Sequence, residues 1–357
     1  MKIHNFSAGP CILPQEVFTK TAEAVLNFNN SGLSILEISH RSKDFVSVMD
    51  DARALALDLL GLTGKGYQAL FLQGGASMEF LRIPYNFLKV NGKAAYLDTG
   101  TWANNAAKEA KAFGETIIVG SSKADGYTFI PKDFVIPTDS DYFHCTSNNT
   151  IYGTQIKNFP NSPVPVICDM SSDIFSRVLD FSKFDMIYAG AQKNMGPAGT
   201  TLIVIKEEFL GKTNRTIPNI LNYQVHIDKE SMYNTPAVSA IYTSFLTMQW
   251  LKNLGGIAAI EIKNQAKADL LYSEIDRNPL FKGTAAVEDR SNMNATFLLI
   301  NEGAHKELFN AMLKEAGISG LNGHRSVGGY RASMYNALPI ESVQVLVDVM
   351  KELEKKA

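Results

Sequence analysis

The stretch that decides the fold reads Tyr67-Gln68-Ala69-Leu70-Phe71-Leu72-Gln73-Gly74-Gly75. Its first part is a short apolar run typical of a buried strand, and the paired glycines end that run. Residues 78–88 then have the pattern of a helix, residues 94–97 form a second apolar run, and residues 103–113 form a second helical stretch. This alternation of strand and helix predicts a mostly parallel sheet in an α/β domain.

The same kind of apolar run recurs further along the chain. The runs cover residues 116–119, 142–145, 164–168, 186–189 and 200–205. They are continuous rather than alternating with polar residues, which indicates strands covered by other elements on both faces.

The pattern changes after Gly255-Gly256. A long helix is predicted over residues 257–275, followed by a strand at 296–300, a helix at 304–316, a strand at 330–333 and a closing helix that starts near Pro339 and runs to Leu353. We therefore predict two domains: a large α/β domain of residues 16–255, and a smaller α+β domain of residues 1–15 and 256–357.

The composition excludes several classes of protein. The chain has 357 residues, 45% of them hydrophobic, and a net charge of −2, so no basic excess is present to bind nucleic acid. No apolar run approaches the roughly 18 residues of a membrane span, and the N-terminus has no signal-peptide core. Cys11, Cys145 and Cys168 have neither metal-ligand nor disulfide spacing, which predicts a reducing, cytoplasmic location.

One lysine stands out in the stretch Tyr188-Ala189-Gly190-Ala191-Gln192-Lys193-Asn194-Met195-Gly196-Pro197-Ala198-Gly199. Small residues surround it, and an apolar segment precedes and follows. A lysine that carries a bulky covalent group in a cleft needs small neighbours, and a desolvated lysine of lowered pKa forms Schiff bases. The alternative is an ordinary loop lysine between two strands.

Two further residues follow predicted strands. Asp169 ends an apolar run, where a buried carboxylate needs a partner such as the pyridinium nitrogen of pyridoxal phosphate (PLP). Trp102 follows Thr99-Gly100-Thr101 and is a suitable flat surface for that ring. The alternatives are an Asp that caps the next turn and a core Trp. Ligands of open α/β sheets bind at the carboxyl ends of the strands, where Lys193 is also expected.

Two sets of residues are suited to binding anions. Gly74-Gly75-Ala76-Ser77 lies between a strand and a helix, where free backbone N–H groups can bind a phosphate. The pairs His40-Arg41 and His324-Arg325 suit a dianion, and Arg331 suits a carboxylate held by two hydrogen bonds. Scattered surface arginines are the alternative.

Together these stretches resemble one known family. The chain is similar to the phosphoserine aminotransferases, which are PLP-dependent transaminases of the class V group with the fold-type I architecture. The resemblance covers essentially the whole chain. It rests on residues 5–10, 39–42, 72–77, 188–199, 233–236 and 323–336.

The resemblance implies a fold and a role for each matching position. It implies a mostly parallel, seven-stranded sheet with a smaller α+β domain, and a homodimer with shared sites. Lys193 corresponds to the Schiff-base lysine. The implied cofactor contacts are Ala76, Ser77, Trp102, Thr150, Asp169, Gln192, Asn234 and Thr235, the last two reaching the PLP phosphate from the neighbouring subunit. The implied substrate contacts are His40, Arg41, His324, Arg325 and Arg331.

The implied reaction transfers the amino group of L-glutamate to 3-phosphohydroxypyruvate, giving O-phospho-L-serine and 2-oxoglutarate. Action on the phosphorylated threonine analogue of vitamin B6 synthesis stays open. Some members have arginine in place of Ser77 and serine in place of Ala8, so phosphate affinity here is expected to depend more on the His-Arg pairs. The other hypotheses are a cysteine desulfurase, an alanine–glyoxylate transaminase and a non-catalytic protein of the same fold.

Overall fold

The computed structural model describes residues 2–325 and 327–357. Ser326, within one of the stretches that carry the resemblance, lies outside the described residues. The strands are His4–Asn5 (β1), Tyr67–Leu72 (β2), Lys93–Asp98 (β3), Glu115–Ser121 (β4), Tyr142–Thr146 (β5), Val166–Asp169 (β6), Met186–Gly190 (β7), Thr201–Lys206 (β8), Phe281–Gly283 (β9), Asn294–Leu299 (β10), Ile318–Ser319 (β11) and Tyr330–Ser333 (β12). The α-helices are Gln15–Leu26 (α1), Lys43–Leu59 (α2), Gly75–Phe87 (α3), Thr101–Ala110 (α4), Tyr223–Asp228 (α5), Val238–Asn253 (α6), Gly256–Arg277 (α7), Glu302–Glu315 (α8) and Ile340–Lys356 (α9).

The main sheet has seven strands in the order β2-β8-β7-β6-β5-β3-β4. The strands from β3 to β7 run parallel to one another, while β8 is antiparallel to both β2 and β7. The predicted α/β class with a mostly parallel sheet is therefore confirmed.

The main sheet is covered by helices on both faces, as its continuous apolar strands predicted. Successive residues of one strand point into different cores. On β2, Ala69 and Phe71 belong to the core that includes α2 and α6, and Leu70 and Leu72 belong to the core that includes α3 and α4. An apolar residue is thus buried at nearly every position of the strand.

Two smaller sheets lie outside the main one. Strands β9, β10 and β12 form an antiparallel sheet, and β1 pairs in parallel with β11. Their apolar residues share a third core with α7, α8 and α9, to which Phe6 of the N-terminal segment also contributes.

Some predicted boundaries were wrong by a few residues. The strand predicted at 164–168 begins at Val166, because Pro165 has no N–H to donate to a neighbouring strand. The helix predicted from residue 78 begins at Gly75, because Gly74 takes a left-handed backbone conformation (φ 110°) and caps it. The closing helix extends to Lys356, past the predicted end at Leu353, and Pro339 is its N-cap.

Candidate active site

The candidate active site lies at the carboxyl ends of β3, β5, β6 and β7. Trp102 follows β3, Thr150 follows β5, Asp169 ends β6, and Lys193 follows β7. These strands are neighbours in the sheet, so the four residues meet at one edge. Lys193 Nζ donates a hydrogen bond of 2.8 Å to Thr150 Oγ1, and Nζ lies 5.7 Å from the centroid of the Trp102 ring.

Burial and charge act in opposite directions on Lys193. Burial lowers the pKa of the Lys193 amine and has the largest effect, the negative charge of Asp169 opposes it, and the positive charge of Arg331 adds to it. The pKa of Lys193 is lowered overall, so its amine loses a proton more easily than that of a surface lysine. This agrees with the sequence-based expectation of a desolvated lysine.

Asp169 is almost completely buried and is the negative partner of Lys193 in the site. Burial raises the pKa of its carboxyl, and the Lys193 charge and the hydrogen bonds from Ser171 oppose that rise. Ser171 donates to Asp169 Oδ1 through its N–H (2.9 Å) and its hydroxyl (2.6 Å). Gly190 N donates to the same Ser171 hydroxyl oxygen (3.2 Å), so Ser171 links the ends of β6 and β7.

The N-terminal segment packs against the turn that carries Lys193. A Cβ at Gly9 would lie 3.3 Å from Lys193 Cγ and 3.4 Å from the carbonyl oxygen of Gln192. Cys11 N donates to that carbonyl (3.2 Å), and its thiol donates to the Lys193 carbonyl. Burial raises the pKa of the Cys11 thiol to about 12, so it is not a reactive thiolate.

The start of α3 offers free backbone donors beside this centre. No side chain caps the helix, and its first turn has no acidic residue. Ala76 and Ser77 lie in that turn, where N–H groups have no partner within the helix. Gln73, two residues before the start of α3, contacts Asn234 and Thr235 of the same chain: Asn234 Nδ2 donates to Gln73 Oε1 (3.3 Å), and Gln73 Nε2 donates to the Thr235 carbonyl.

A cationic group lies on the other side of Lys193. Arg331, on β12, donates from an Nη atom to the Thr150 carbonyl (3.3 Å), and its buried Nε has no hydrogen-bond partner among the described residues. The pKa of His324 is lowered by burial and by the charges of Arg331 and Arg325, which places these three residues near one another.

The other predicted pair is not joined to this group. His40 and Arg41 lie in the turn before α2, where Arg41 N donates to Ser39 Oγ (3.2 Å) and the Arg41 side chain is exposed. Among the described residues, neither side chain has a hydrogen bond or ion pair with Lys193 or Arg331. Their predicted substrate contact stays a prediction.

Sequence reasoning missed residues that hold the site together. Tyr335 is buried, and its hydroxyl donates to the Ala8 carbonyl (2.7 Å) and accepts from Asn294 Nδ2 (3.3 Å). Tyr152 shares a hydrogen bond of 2.9 Å with Thr101, beside Trp102. Their positions in the sequence could have indicated them. Tyr335 closely follows the strand of Arg331, and Tyr152 closely follows Thr150.

Comparison with known proteins gives the class to which this fold and site belong. The family model for class-V aminotransferases matches residues 3–346. The chain therefore belongs to the class-V aminotransferase family. It is an aminotransferase, and its cofactor is PLP.

The similar proteins narrow the class further. The chain is 74% identical to the phosphoserine aminotransferase of Flavobacterium psychrophilum, over 100% of both chains. Among solved structures it is similar to the phosphoserine aminotransferase of Bacillus circulans (TM-score 0.96, 42% identity, 99% of each chain). It is also similar to the PLP-bound phosphoserine aminotransferase of Trichomonas vaginalis (TM-score 0.91, 35% identity, 98% of this chain and 100% of that one).

The residues present fit PLP. The buried Trp102 Nε1 has no hydrogen-bond partner among the described residues, and the start of α3 has no side-chain cap, so donors at both places are free for a ligand. Asp169 is a buried carboxylate whose two hydrogen bonds from Ser171 both end on Oδ1. Together they supply a flat aromatic, phosphate donors and a counter-ion for a ring nitrogen.

Two other kinds of feature are absent from residues 2–325 and 327–357. No helix there is long and apolar enough to cross a membrane. In the same part of the chain, no group of three or more His, Cys, Asp or Glu side chains could hold a metal ion.

Proposed function

We propose that this aminotransferase transfers the amino group of L-glutamate to 3-phosphohydroxypyruvate, forming O-phospho-L-serine and 2-oxoglutarate. The observation that carries the proposal is the pair of cations Arg325 and Arg331, with His324 near them, beside Lys193. A doubly charged phosphate and a carboxylate on one small substrate need separate cationic partners. The names of the similar proteins support the same substrate.

In this proposal each residue has a defined task toward the cofactor. Lys193 would form the covalent link, Asp169 would pair with the ring nitrogen, and Trp102 would stack on the ring. Gln192 and Thr150 would contact the cofactor ring. The phosphate would be held at the start of α3 by Ala76 and Ser77, with Asn234 and Thr235 of the neighbouring subunit. When bound, PLP supplies an electron sink that stabilises negative charge on the substrate's α-carbon.

The chain's own residues bind the substrate and move its proton. Arg331 binds the α-carboxylate with two N–H groups, which fixes the direction of the α-carbon's C–H bond. Once the substrate's amine has displaced Lys193 from its covalent link, Nζ would take the α-proton and pass it to the cofactor, because its lowered pKa makes the neutral amine available. His40, Arg41, His324 and Arg325 bind the side-chain phosphate.

A titration of the purified holoenzyme tests this substrate. O-phospho-L-serine should abolish the visible absorption band of the bound cofactor, because the amino acid donates its amine. L-serine at equal concentration is the control and should leave the band largely unchanged. An equal response to both compounds would keep the aminotransferase but refute the proposed substrate. The phosphorylated threonine analogue, added in the same way, tests whether the chain also acts in vitamin B6 synthesis.

Three less direct features are part of the proposal. We infer a homodimer from the exposed apolar side chains near α1, Leu26 (82% exposed) and Leu36 (65%), which a second copy could cover. The division into residues 16–255 and residues 1–15 with 256–357 is supported by the separate core of the second part. A cytoplasmic location is supported by three free cysteines.

A further inference from the structure

A buried amide network joins the turn that carries Lys193 to the segment that follows Arg331. Asn194 comes directly after Lys193 and is 6% exposed, and Asn336 follows β12 and is also 6% exposed. Asn336 N donates to Asn194 Oδ1 at 2.9 Å. Asn194 Nδ2 donates in turn to the Ile174 carbonyl at 2.5 Å, so both of its amide atoms are used.

The side chain of Asn336 is also fully engaged. Its Nδ2 donates to the Phe175 carbonyl at 3.0 Å, and its Oδ1 accepts from Asn264 Nδ2 at 2.8 Å. Asn264, on α7, donates from the same amide to the Ser176 carbonyl at 3.0 Å. Asn336 thus contacts two elements at once, namely α7 and the loop that follows β6.

One turn further along α7, Lys267 holds the same segment from behind. It is 1% exposed, and its Nζ donates to the carbonyls of Met334 (2.9 Å) and Tyr335 (2.7 Å). A buried lysine is costly unless its donors are satisfied, and two backbone carbonyls accept from two of its three N–H groups here. The segment is therefore fixed both by α7 and by the Lys193 turn.

The segment also reaches the other side of Lys193. The Tyr335 hydroxyl donates to the Ala8 carbonyl (2.7 Å), and the next residue, Gly9, packs against the Lys193 side chain. Since Arg331 lies on the strand that leads into this segment, the segment sets where Arg331 lies relative to the Lys193 amine.

We propose that Asn336 is a positioning residue for transamination: with Lys267 behind it, it fixes the distance between the amine of Lys193 and the guanidinium of Arg331. The inference rests on the proposed roles of Lys193 as base and Arg331 as carboxylate binder. A substrate held by Arg331 presents its α-proton to Lys193 only if these groups keep their separation, and a small misplacement of reacting groups can cost about 100-fold in rate.

The test compares Asn336→Ala and Lys267→Met with wild-type holoenzyme, all normalised to bound PLP. With saturating L-glutamate, each variant should lower the single-turnover rate by about 10- to 100-fold and leave KM within about twofold, since Arg331 still binds the carboxylate. The loss should be the same with O-phospho-L-serine, because both substrates share the α-carboxylate. The pH midpoint of the cofactor's absorption band should also shift, since Lys193 has moved.

A matched control is available for each variant. Asn292→Ala removes an amide that bonds to Gln265 nearer the surface (2.8 Å), and Lys263→Met removes an exposed lysine of α7. Neither control should change the rate or the midpoint. An unchanged rate in both Asn336→Ala and Lys267→Met, or a rise in KM with the rate constant preserved, would overturn the proposal. If Asn336→Ala does not fold, Lys267→Met decides by itself.

The test of Asn336 and the test of the proposed substrate can fail independently of each other. If wild-type protein converts glutamate but not O-phospho-L-serine, the substrate proposal fails, and the comparison of variants with glutamate still decides the role of Asn336. A lower melting temperature with an unchanged rate per bound PLP would show that the network is only structural and would refute positioning.

Discussion

At the scale of single residues, the chemistry depends on a few charged groups whose surroundings change their properties. Lys193 and Asp169 are buried together, and each opposes the pKa shift that burial imposes on the other. Asp169 therefore stays easier to ionise, and Lys193 easier to protonate, than burial alone would allow. The balance suits a lysine that must both hold and release a proton.

The phosphate role of the His-Arg pairs can be tested at Arg41. Arg41→Ala should raise KM for O-phospho-L-serine by about 10- to 100-fold, because hydrogen bonds to charged groups are worth about 1.5–3 kcal/mol. KM for L-glutamate should change much less. Steady-state kinetics with both substrates measure this, with Lys43→Ala, which removes a nearby exposed cation, as the control. Equal losses for both substrates would contradict the phosphate role.

Lys267 predicts a pH dependence of stability. Burial, with a contribution from Lys263, lowers the pKa of Lys267 to about 7 from 10.5. Between these two values the unfolded chain binds more protons than the folded one, so this group makes folding more favourable as pH rises. At lower pH both states bind the proton and the dependence disappears.

The measurement is denaturant unfolding of wild type and Lys267→Met at several pH values. From about pH 7 to about pH 10, the wild type should gain stability relative to Lys267→Met. The difference in unfolding free energy should grow by up to roughly 1.4 kcal/mol per pH unit. The exposed Lys351, changed to Met, gives the control, whose difference from wild type should stay flat. A flat difference for Lys267→Met as well would show that Lys267 stays protonated when folded.

At the scale of elements, the decisive feature is the junction between a strand and the segment that follows its carboxyl end. Four such junctions lie side by side because β3, β5, β6 and β7 are parallel neighbours. Each junction supplies one kind of group, namely aromatic ring, hydroxyl, carboxylate and amine. The antiparallel pair β2 and β8 extends the sheet on one side, and α3 starts directly after β2.

The junction between β2 and α3 gives a test with a close internal control. Gly74 and Gly255 both cap a helix with a left-handed backbone (φ 110° and 107°). A Cβ at Gly74 would lie 2.6 Å from Met78 Cβ, and one at Gly255 would lie 3.0 Å from Ala259 Cβ. Alanine at either position should cost about 1–3 kcal/mol of stability.

Only Gly74→Ala should also weaken PLP binding, because only that helix start is predicted to hold the phosphate. Fluorescence titration of apoprotein with PLP measures the affinity, and thermal unfolding measures the stability. If the two variants weaken PLP binding equally, the loss reflects general destabilisation, and the phosphate role of the α3 N-terminus is wrong.

At the scale of the whole molecule, two arrangements of Asn234 and Thr235 lead to different predictions. Asn234 and Thr235 contact Gln73 within the chain, whereas the resemblance implies that they reach the phosphate of a neighbouring subunit. In a two-fold dimer, Asn234 and Thr235 can serve the phosphate site of their own subunit or that of the neighbouring subunit. The activity of mixed dimers distinguishes these two arrangements.

The mixed dimer combines one chain carrying Lys193→Ala with one carrying Asn234→Ala and Thr235→Ala. Each parent dimer should be nearly inactive. If the sites are shared, one site of the hybrid has only native residues, and the hybrid should recover about half of wild-type activity. Hybrids purified with two affinity tags and assayed per bound PLP give the answer. Hybrids as inactive as their parents would show that Asn234 and Thr235 act within their own subunit.

The sequence by itself determined the class of fold and much of the chemistry. Continuous apolar runs alternating with helices require strands covered on both faces, and this pattern is local enough to read directly. Lys193, Asp169 and Trp102 were found because each follows a predicted strand, and parallel strands bring such positions to one edge. Arg325 and Arg331 were found from another local pattern, because both lie in one glycine-rich stretch with His324.

Only the tertiary structure decided how these parts meet. Tyr335, Asn336 and Lys267 form bonds to partners far away in the chain, and no local pattern reveals a hydrogen bond between distant segments. The direction of the pKa shift at Lys193 likewise depends on burial and on Arg331, which lies on a separate sheet. Such effects act through space, so they appear only once the chain has folded.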